Sequence, residues 1–226
     1  MQSDLTKRKA QLRQQLLQQR RSLSTAQWQA QSQQLCTHLQ QTPEWQQAQT
    51  IGAYFSIHQE PNLSFLWQDP PSPAAPLPTP DLRQSSPPPP LSPSPPPLTP
   101  KRFAFPRCIA KQLQWHFWQP HQPRVSGKYG IPEPDPSLPL AQPEQLDLLL
   151  VPCVACDRQG YRLGYGGGFY DRLLEDPRWA SIPTLGITFQ AAIVETLPLE
   201  PWDQQLTGIL TEQGKLINHD LSVERF

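Results

Sequence analysis

Glycine is scarce in this chain, with 11 among 226 residues, and four of the 11 fall in one stretch, "RLGYGGGFYDR", residues 162–172. Cysteine is scarcer. Cys36, Cys108, Cys153 and Cys156 are too few and too scattered for a disulfide framework, so a reducing cytoplasm is the expected compartment. Neither sign of charge is in excess, since 19 Lys and Arg face 19 Asp and Glu. That balance argues against nucleic acid as a partner. No apolar run approaches the ~20 residues needed to span a bilayer. The longest lies within 148–151 and ends at Pro152, so a membrane is not an expected partner. The N-terminus lacks the apolar core of a signal peptide, although its Arg-rich, acid-poor start imitates a transit peptide. His38, His58, His116, His121 and His219 form no motif, and no Ser-His-Asp or Cys-His arrangement is evident.

Proline is the residue in excess, at 30, and half of it sits in one place: 15 of the 31 residues at 70–100 are proline. Such a segment makes neither helices nor sheet ladders. It reads as a disordered loop insertion in a single domain of 1–226, with a ligand for proline-binding modules as the alternative.

The rest has an α/β pattern. Residues 4–48 are helical in composition, broken at "SLSTAQ", where Ser24 can cap a second helix through Leu39. Leu5, Lys9, Leu12 and Leu16 share one face of the first helix. "TIGAYFSI" (50–57) alternates as a strand, and Asn62 could cap a short helix through Trp67. "RFAFPR" and "LQWHFW" read as strands, and "GKYGIPEP" with the prolines to 143 as a surface connection. "DLLLVPCVAC" (147–156) is apolar on both faces, which suggests the centre of a parallel sheet. A helix from Phe169 to Leu174 follows the glycine loop, and "TLGIT" and "TGILT" supply two more strands. The expected fold is α/β, a three-layer single domain with a central, mostly parallel sheet flanked by helices.

Strand, glycine loop and helix is an arrangement that binds phosphate, because glycine lets several backbone N–H groups converge on one oxygen cluster. Gly164, Gly166 and Gly168 give G-x-G-x-G, with Phe169 in place of the last glycine of the dinucleotide fingerprint and no G-K-[ST] after it. A tight turn without ligand is the alternative. Asp171 favours the ligand, since a carboxylate beside a phosphate cradle suits magnesium. Lys9 sits within the apolar stripe, with Arg13 one turn on, so the two cations can grip one polyanion. A solvated basic face with Lys7, Arg8, Arg20 and Arg21 explains them equally well. Glu60 lies just past a strand end, where ligands bind in such sheets, although a lone carboxylate there commonly faces water.

Together these residues resemble the 5-formyltetrahydrofolate cyclo-ligase family. "DLLLVPCVACDRQGYRLGYGGGFYDRLL" (147–174) is similar to its signature of apolar strand, Pro, Asp, turn Gly and R-L-G-x-G-x-G-[FY]-Y-D-[RA]. Lys9 and Arg13 as K-x-x-x-R, Glu60 downstream of its strand, and Asp203 in "PWDQQLTGILTE" follow in the family's order. The resemblance implies ATP- and Mg2+-dependent cyclisation of 5-formyltetrahydrofolate to 5,10-methenyltetrahydrofolate, with ADP and phosphate released. It implies that Lys9, Arg13 and Tyr170 form the catalytic set. Lys9, Arg13 and the loop Arg162, Leu163, Gly164, Tyr165, Gly166, Gly167, Gly168, Phe169 and Tyr170 would bind ATP. Arg13, Phe55, Glu60, Tyr165, Gly166, Gly167, Gly168 and Phe169 would border the folate, and Asp171 and Asp203 would hold magnesium. Cys153 and Cys156 stand where the family usually has Gly and Phe, and Pro61-Asn62-Leu63 where it often has Thr or Ser. The two cysteines read as packing residues whose side chains face opposite ways along a strand.

Two rival readings remain. One is a sugar-phosphate isomerase or CoA-transferase relative, which would need an acid–base or nucleophilic side chain and no ATP. The other is a non-enzymatic scaffold presenting the proline tract to a protein partner.

Overall fold

The computed structural model describes residues 2–67 and 100–216. Nearly all of the proline-rich 70–100 segment lies outside the described residues.

The N-terminal helical region divides where its sequence breaks. α1 (Gln2–Arg21) ends before Ser24, and α2 (Thr25–Gln41) begins after it. Ser24 Oγ accepts from Gln27 N–H at 3.2 Å, and Gln27 Oε1 accepts from Ser24 N–H at 3.0 Å, a reciprocal capping box. A short α3 (Pro43–Gln47), capped by Thr42, leads into β1 (Thr50–Gly52).

The strand expected over 50–57 is only three residues long. After Ala53 N–H donates to Ala104 O at 2.8 Å, the chain leaves the sheet. It turns through left-handed His58 and Gln59. The helix expected after Asn62 is a single 3-10 turn, Ser64–Leu66, whose Ser64 N–H donates to Asn62 Oδ1 at 3.0 Å.

β2 (Arg102–Ile109) and β3 (Gln112–Trp118) form an antiparallel pair. Pro106 is tolerated within β2 because β1 pairs with it only as far as Ala104. The expected surface connection contains a small hairpin, β4 (Arg124–Ser126) with β5 (Pro132–Pro134).

β6 (Leu148–Pro152) sits between β1 and β9 (Thr184–Ile187), parallel to both. Its strict alternation places Leu148 and Leu150 in one buried cluster with Leu35 and Leu39 of α2. Leu149 and Val151 enter a second cluster on the other face with Leu173, Leu174 and Trp179. Burial on both faces is why this strand reads as an unbroken apolar run. β11 (Gly208–Thr211) and β12 (Gly214–Lys215) complete a seven-stranded sheet of order β12-β11-β9-β6-β1-β2-β3. It is parallel except at its two edges, the β2–β3 and β11–β12 pairs.

The run expected as one strand over 147–156 is two. β6 stops at Pro152, and β7 (Ala155–Asp157) belongs to a separate three-stranded sheet with β8 (Arg162–Leu163) and β10 (Ile193–Val194). The break changes the cysteines. Cys153 and Cys156 do not face opposite ways. A Cβ on Gly186 would meet Cys153 Sγ at 3.3 Å and Cys156 Sγ at 3.4 Å, so the two thiols converge on one spot. Both are fully buried in the same apolar cluster, as packing residues are.

α4 (Phe169–Leu174) and α5 (Pro177–Ala180) follow the glycine loop. α1 lies against the small sheet, where Leu16 joins Val154, Ala155, Leu163 and Leu197. No helix among the described residues is long and apolar enough to cross a membrane.

Candidate active site

The glycine loop does not leave the central parallel strand directly. The chain first turns through the β7–β8 hairpin, pinned by fully buried Asp157, whose carboxylate accepts from the N–H groups of Gln159, Tyr161 and Leu197 at 3.0–3.2 Å. It then enters residues 164–168 from the end of β8. Gly166 (φ +97°) and Gly168 (φ +63°) hold left-handed conformations that L side chains rarely adopt, and Gly168 opens α4. α4 has only six residues, so the loop's own N–H groups and nearby cations, more than a helix dipole, must supply positive potential.

Those cations come from α1 and the loop's flanks. Arg13 Nε donates to Gly164 O at 2.7 Å, and its guanidinium lies beneath Gly166, 3.6 Å from where a Cβ would stand. Burial lowers the Arg13 pKa. Arg162 Nη2 donates to Asp171 Oδ1 at 2.7 Å, and its Nε is buried without a partner. Arg172 fastens the far side, donating from Nη2 to Gly167 O at 2.7 Å and from Nε to Lys111 O at 2.8 Å.

Lys9 is not on a solvated face. Its Nζ sits between Asp203 Oδ2 at 2.5 Å and Glu200 Oε2 at 2.9 Å, and all three side chains are largely buried. Asp203 Oδ2 also accepts from Glu200 N–H at 2.7 Å, which ties the 200–203 turn to α1.

Glu60 departs furthest from the expectation of a water-facing carboxylate, being only 2% exposed. The turn at 57–60 folds its side chain back, so that Ile57 N–H donates to Glu60 Oε2 at 3.0 Å. Trp28 Nε1 of α2 donates to Glu60 O at 2.7 Å and holds the turn from behind. Burial pushes the Glu60 carboxyl up to about 7, against partial relief from Arg20, the Ile57 N–H and the Tyr165 hydroxyl. Phe55, in the segment leading to that turn, stacks on Phe105 at 4.1 Å between ring centroids, with Trp118 edge-on. Tyr170 is held over Arg162, its hydroxyl buried without a partner. Burial and the nearby charge of Glu60 raise its pKa.

Every residue singled out from the sequence lines one cavity of about 580 Å³: Lys9, Arg13, Phe55, Glu60, all of 162–171 and Asp203. Sequence reasoning missed others. Glu200 gave no signal beyond its place three residues before Asp203. Glu133, 2% exposed, lines the cavity from the β4–β5 hairpin and accepts from Cys108 N–H at 2.9 Å. Arg20 lies behind the cavity wall. Its signal was present, because Arg20 continues the Leu5, Lys9, Leu12, Leu16 face by one more turn.

Two cavity carboxylates, Asp171 and Asp203, are oxygen donors of the kind that suit magnesium, and each is paired with a cation, Arg162 and Lys9. Among the described residues no three His, Cys, Asp or Glu side chains cluster closely enough to hold a metal alone. Mg2+ is commonly held by one or two carboxylates, with phosphate and water oxygens completing the shell, and Asp171 and Asp203 both face the cavity.

Cations, a glycine turn and a buried carboxylate thus line one cavity of an α/β fold, a lining that suits a small polyanionic ligand. Comparison with known proteins narrows the class. The 5-formyltetrahydrofolate cyclo-ligase family model matches residues 5–212. The chain is 42% identical over 92 residues to the 5-formyltetrahydrofolate cyclo-ligase of Haemophilus influenzae, covering 40% of this chain and 49% of that protein. It is 34% identical over 110 residues to that of Mycolicibacterium smegmatis, covering 48% and 56%. The matched stretches thus span about half the length of these relatives. Among solved structures, Aquifex aeolicus 5,10-methenyltetrahydrofolate synthetase superposes with a TM-score of 0.71 at 26% identity, over 96% of both chains. A 5,10-methenyltetrahydrofolate synthetase from Mycoplasma pneumoniae shares the fold, with a TM-score of 0.62 at 22% identity over 90% of this chain and 98% of that one. The chain belongs to the 5-formyltetrahydrofolate cyclo-ligase family.

Proposed function

We propose that this chain cyclises 5-formyltetrahydrofolate to 5,10-methenyltetrahydrofolate, consuming ATP with Mg2+ and releasing ADP and phosphate. The observation that carries this reading is the convergence of Lys9, Arg13, the 162–171 loop and Glu60 on one cavity.

A formamide oxygen is a poor leaving group on a weakly electrophilic carbon. Transfer of the γ-phosphoryl group to that oxygen activates the carbon. The neighbouring folate amine then attacks it, and phosphate departs with the oxygen. No protein nucleophile is required, so positioning and charge neutralisation carry the catalysis. Lys9 and Arg13 hold the phosphates against the 162–170 loop, whose glycines let backbone N–H groups approach. Tyr170 closes the loop at its helical end. Asp171 and Asp203 would hold the metal, which supplies neutralisation of the transferring charge. Phe55 offers a flat apolar face and Glu60 a carboxylate for the paired donors of a pterin, with Arg13 and residues 165–169 bordering the folate from the loop side. Substrates and cofactor are small molecules, and the proposed setting is the cytoplasm. We place the whole chain in one three-layer domain, with 70–100 as a loop insertion that the reaction does not use.

The deciding experiment is the absorbance of methenyltetrahydrofolate formed from 5-formyltetrahydrofolate, ATP and Mg2+. Product above a blank is expected, and its absence overturns the assignment. Deleting 70–100 should leave turnover intact, whereas a scaffold would lose its partner.

A further inference from the structure

Arg20 is a buried cation beside the cavity that the reaction outlined above does not use. It is 8% exposed, at the last turn of α1, and does not line the cavity. Its Nε donates to His58 O at 3.1 Å, within the turn that carries Glu60. Its Nη2 donates to the Tyr165 hydroxyl, and its cation lies 5.7 Å from the centroid of that ring. The Tyr165 hydroxyl also acts on the Glu60 carboxyl, helping to hold its pKa down. Nη1 is buried with no partner, so this guanidinium is not sited for its own satisfaction.

A guanidinium can only donate, and a tyrosine hydroxyl has one proton. With Arg20 as donor to its oxygen, Tyr165 keeps that proton for another acceptor, while the Glu60 carboxyl accepts from Ile57 N–H and lines the cavity. The same guanidinium grips two segments far apart in sequence, the 57–60 turn and the glycine loop.

We propose that Arg20 is a positioning residue that holds Tyr165 of the glycine loop and the Glu60 turn in one register, and so sets the affinity for the folate-side substrate. This rests on the cyclo-ligase reading.

The charged and titratable groups around Glu60 are Arg20 from α1, Tyr54 and His58 from its own segment, and Tyr165 and Tyr170 from the loop and α4. Arg20 is the only one of these that lowers the Glu60 pKa by its charge. Its removal therefore extends the pH range over which Glu60 keeps a proton in the folded state.

The test compares Arg20→Met, Arg20→Lys, Tyr165→Phe and the Arg20→Met/Tyr165→Phe double variant. Loss of one charge-assisted hydrogen bond should raise the KM for 5-formyltetrahydrofolate about 10- to 100-fold, with the KM for ATP little changed. The double variant should be no worse than the poorer single one. Arg20→Lys keeps the charge but cannot bridge two acceptors in a fixed fork, so it should recover stability without recovering KM. It decides the question if Arg20→Met does not fold. A role in folding alone would lower the active fraction and leave both KM values in place, and that result, or additive effects in the double variant, overturns the proposal. A readout without substrate separates this from the cyclo-ligase reading. In melting temperature against pH, the fall in stability due to Glu60 should end near pH 7 in the parent and continue to higher pH in Arg20→Met. If the parent shows no turnover but the pH shift is present, the reaction assignment fails and the Arg20–Glu60 link stands. Identical pH profiles remove the link.

Discussion

On the glycine-loop wall of the cavity, charge is met by charge: Lys9 with Asp203 and Glu200, Arg162 with Asp171. On the wall beside β1, Glu60 is a carboxylate almost fully withdrawn from water, served by the Ile57 N–H, with the Arg20 guanidinium bound to the same turn at His58 O and to Tyr165. The first wall is largely buried as well, but each of these charges has a counter-charge. The second is preorganised and costly, because desolvation dominates it. In the proposed reaction a polyphosphate with its metal would meet the former, and a neutral heterocycle with fixed donors the latter.

The contrast is tested most severely at Arg13, which joins α1 to the loop backbone. Arg13→Ala should lower kcat/KM for ATP about 10²- to 10³-fold, the scale of losing one preorganised donor to developing charge. Unchanged ATP kinetics would place Arg13 outside the phosphate site. Lys9→Ala should raise the ATP requirement about 100-fold, the same scale, and should also lower the melting temperature, since Asp203 and Glu200 are left with an uncompensated charge in a largely buried setting. A lost requirement with an unmoved melting point would show that the carboxylates had another partner.

Glu60 sharpens the other side. Its folded carboxyl titrates near 7 against an ordinary 4.5. The folded state therefore keeps a proton that the unfolded chain releases, and stability falls as pH rises from 4.5 to 7, then levels. The fall is on the order of 3 kcal/mol. Glu60→Gln should be nearly neutral near pH 4.5 and should raise the melting temperature above pH 7. A profile parallel to the parent's would mean that Glu60 is hydrated. The smallest effect on the reaction is expected at Asp171→Asn, with Mg2+ dependence weakened about tenfold and the melting temperature lowered, because buried Arg162 loses its counter-charge. An unaltered metal titration would take Asp171 out of the metal set.

The legible parts of the molecule were those with a local cause. Ser24 and Gln27 write a helix start within four residues, and the glycines of 164–168 announce a turn that few side chains could make. β6 declares itself by apolarity on both faces. The illegible parts had causes far away in sequence. The 147–156 run looked continuous, yet the chain leaves the sheet at Pro152 and brings Cys153 and Cys156 to one side against Gly186. The strand after β1 fails because Ala53 makes the last ladder bond and the left-handed residues His58 and Gln59 redirect the chain. Arg20 looked like part of a basic surface, because spacing shows that a residue shares a stripe but not what lies opposite it.

The sequence by itself determined the family, the α/β order of elements and the residues of the glycine-loop wall other than Glu200, because short-range spacing and a long contiguous signature carry them. Only the tertiary structure decided that Glu60 is buried, that Lys9 lies between Asp203 and Glu200, and that Arg20 reaches Tyr165. Burial and pairing depend on which distant segments pack together, and desolvation, which moves the Glu60 carboxyl toward neutrality, arises only once α1, α2 and the glycine loop have closed around it.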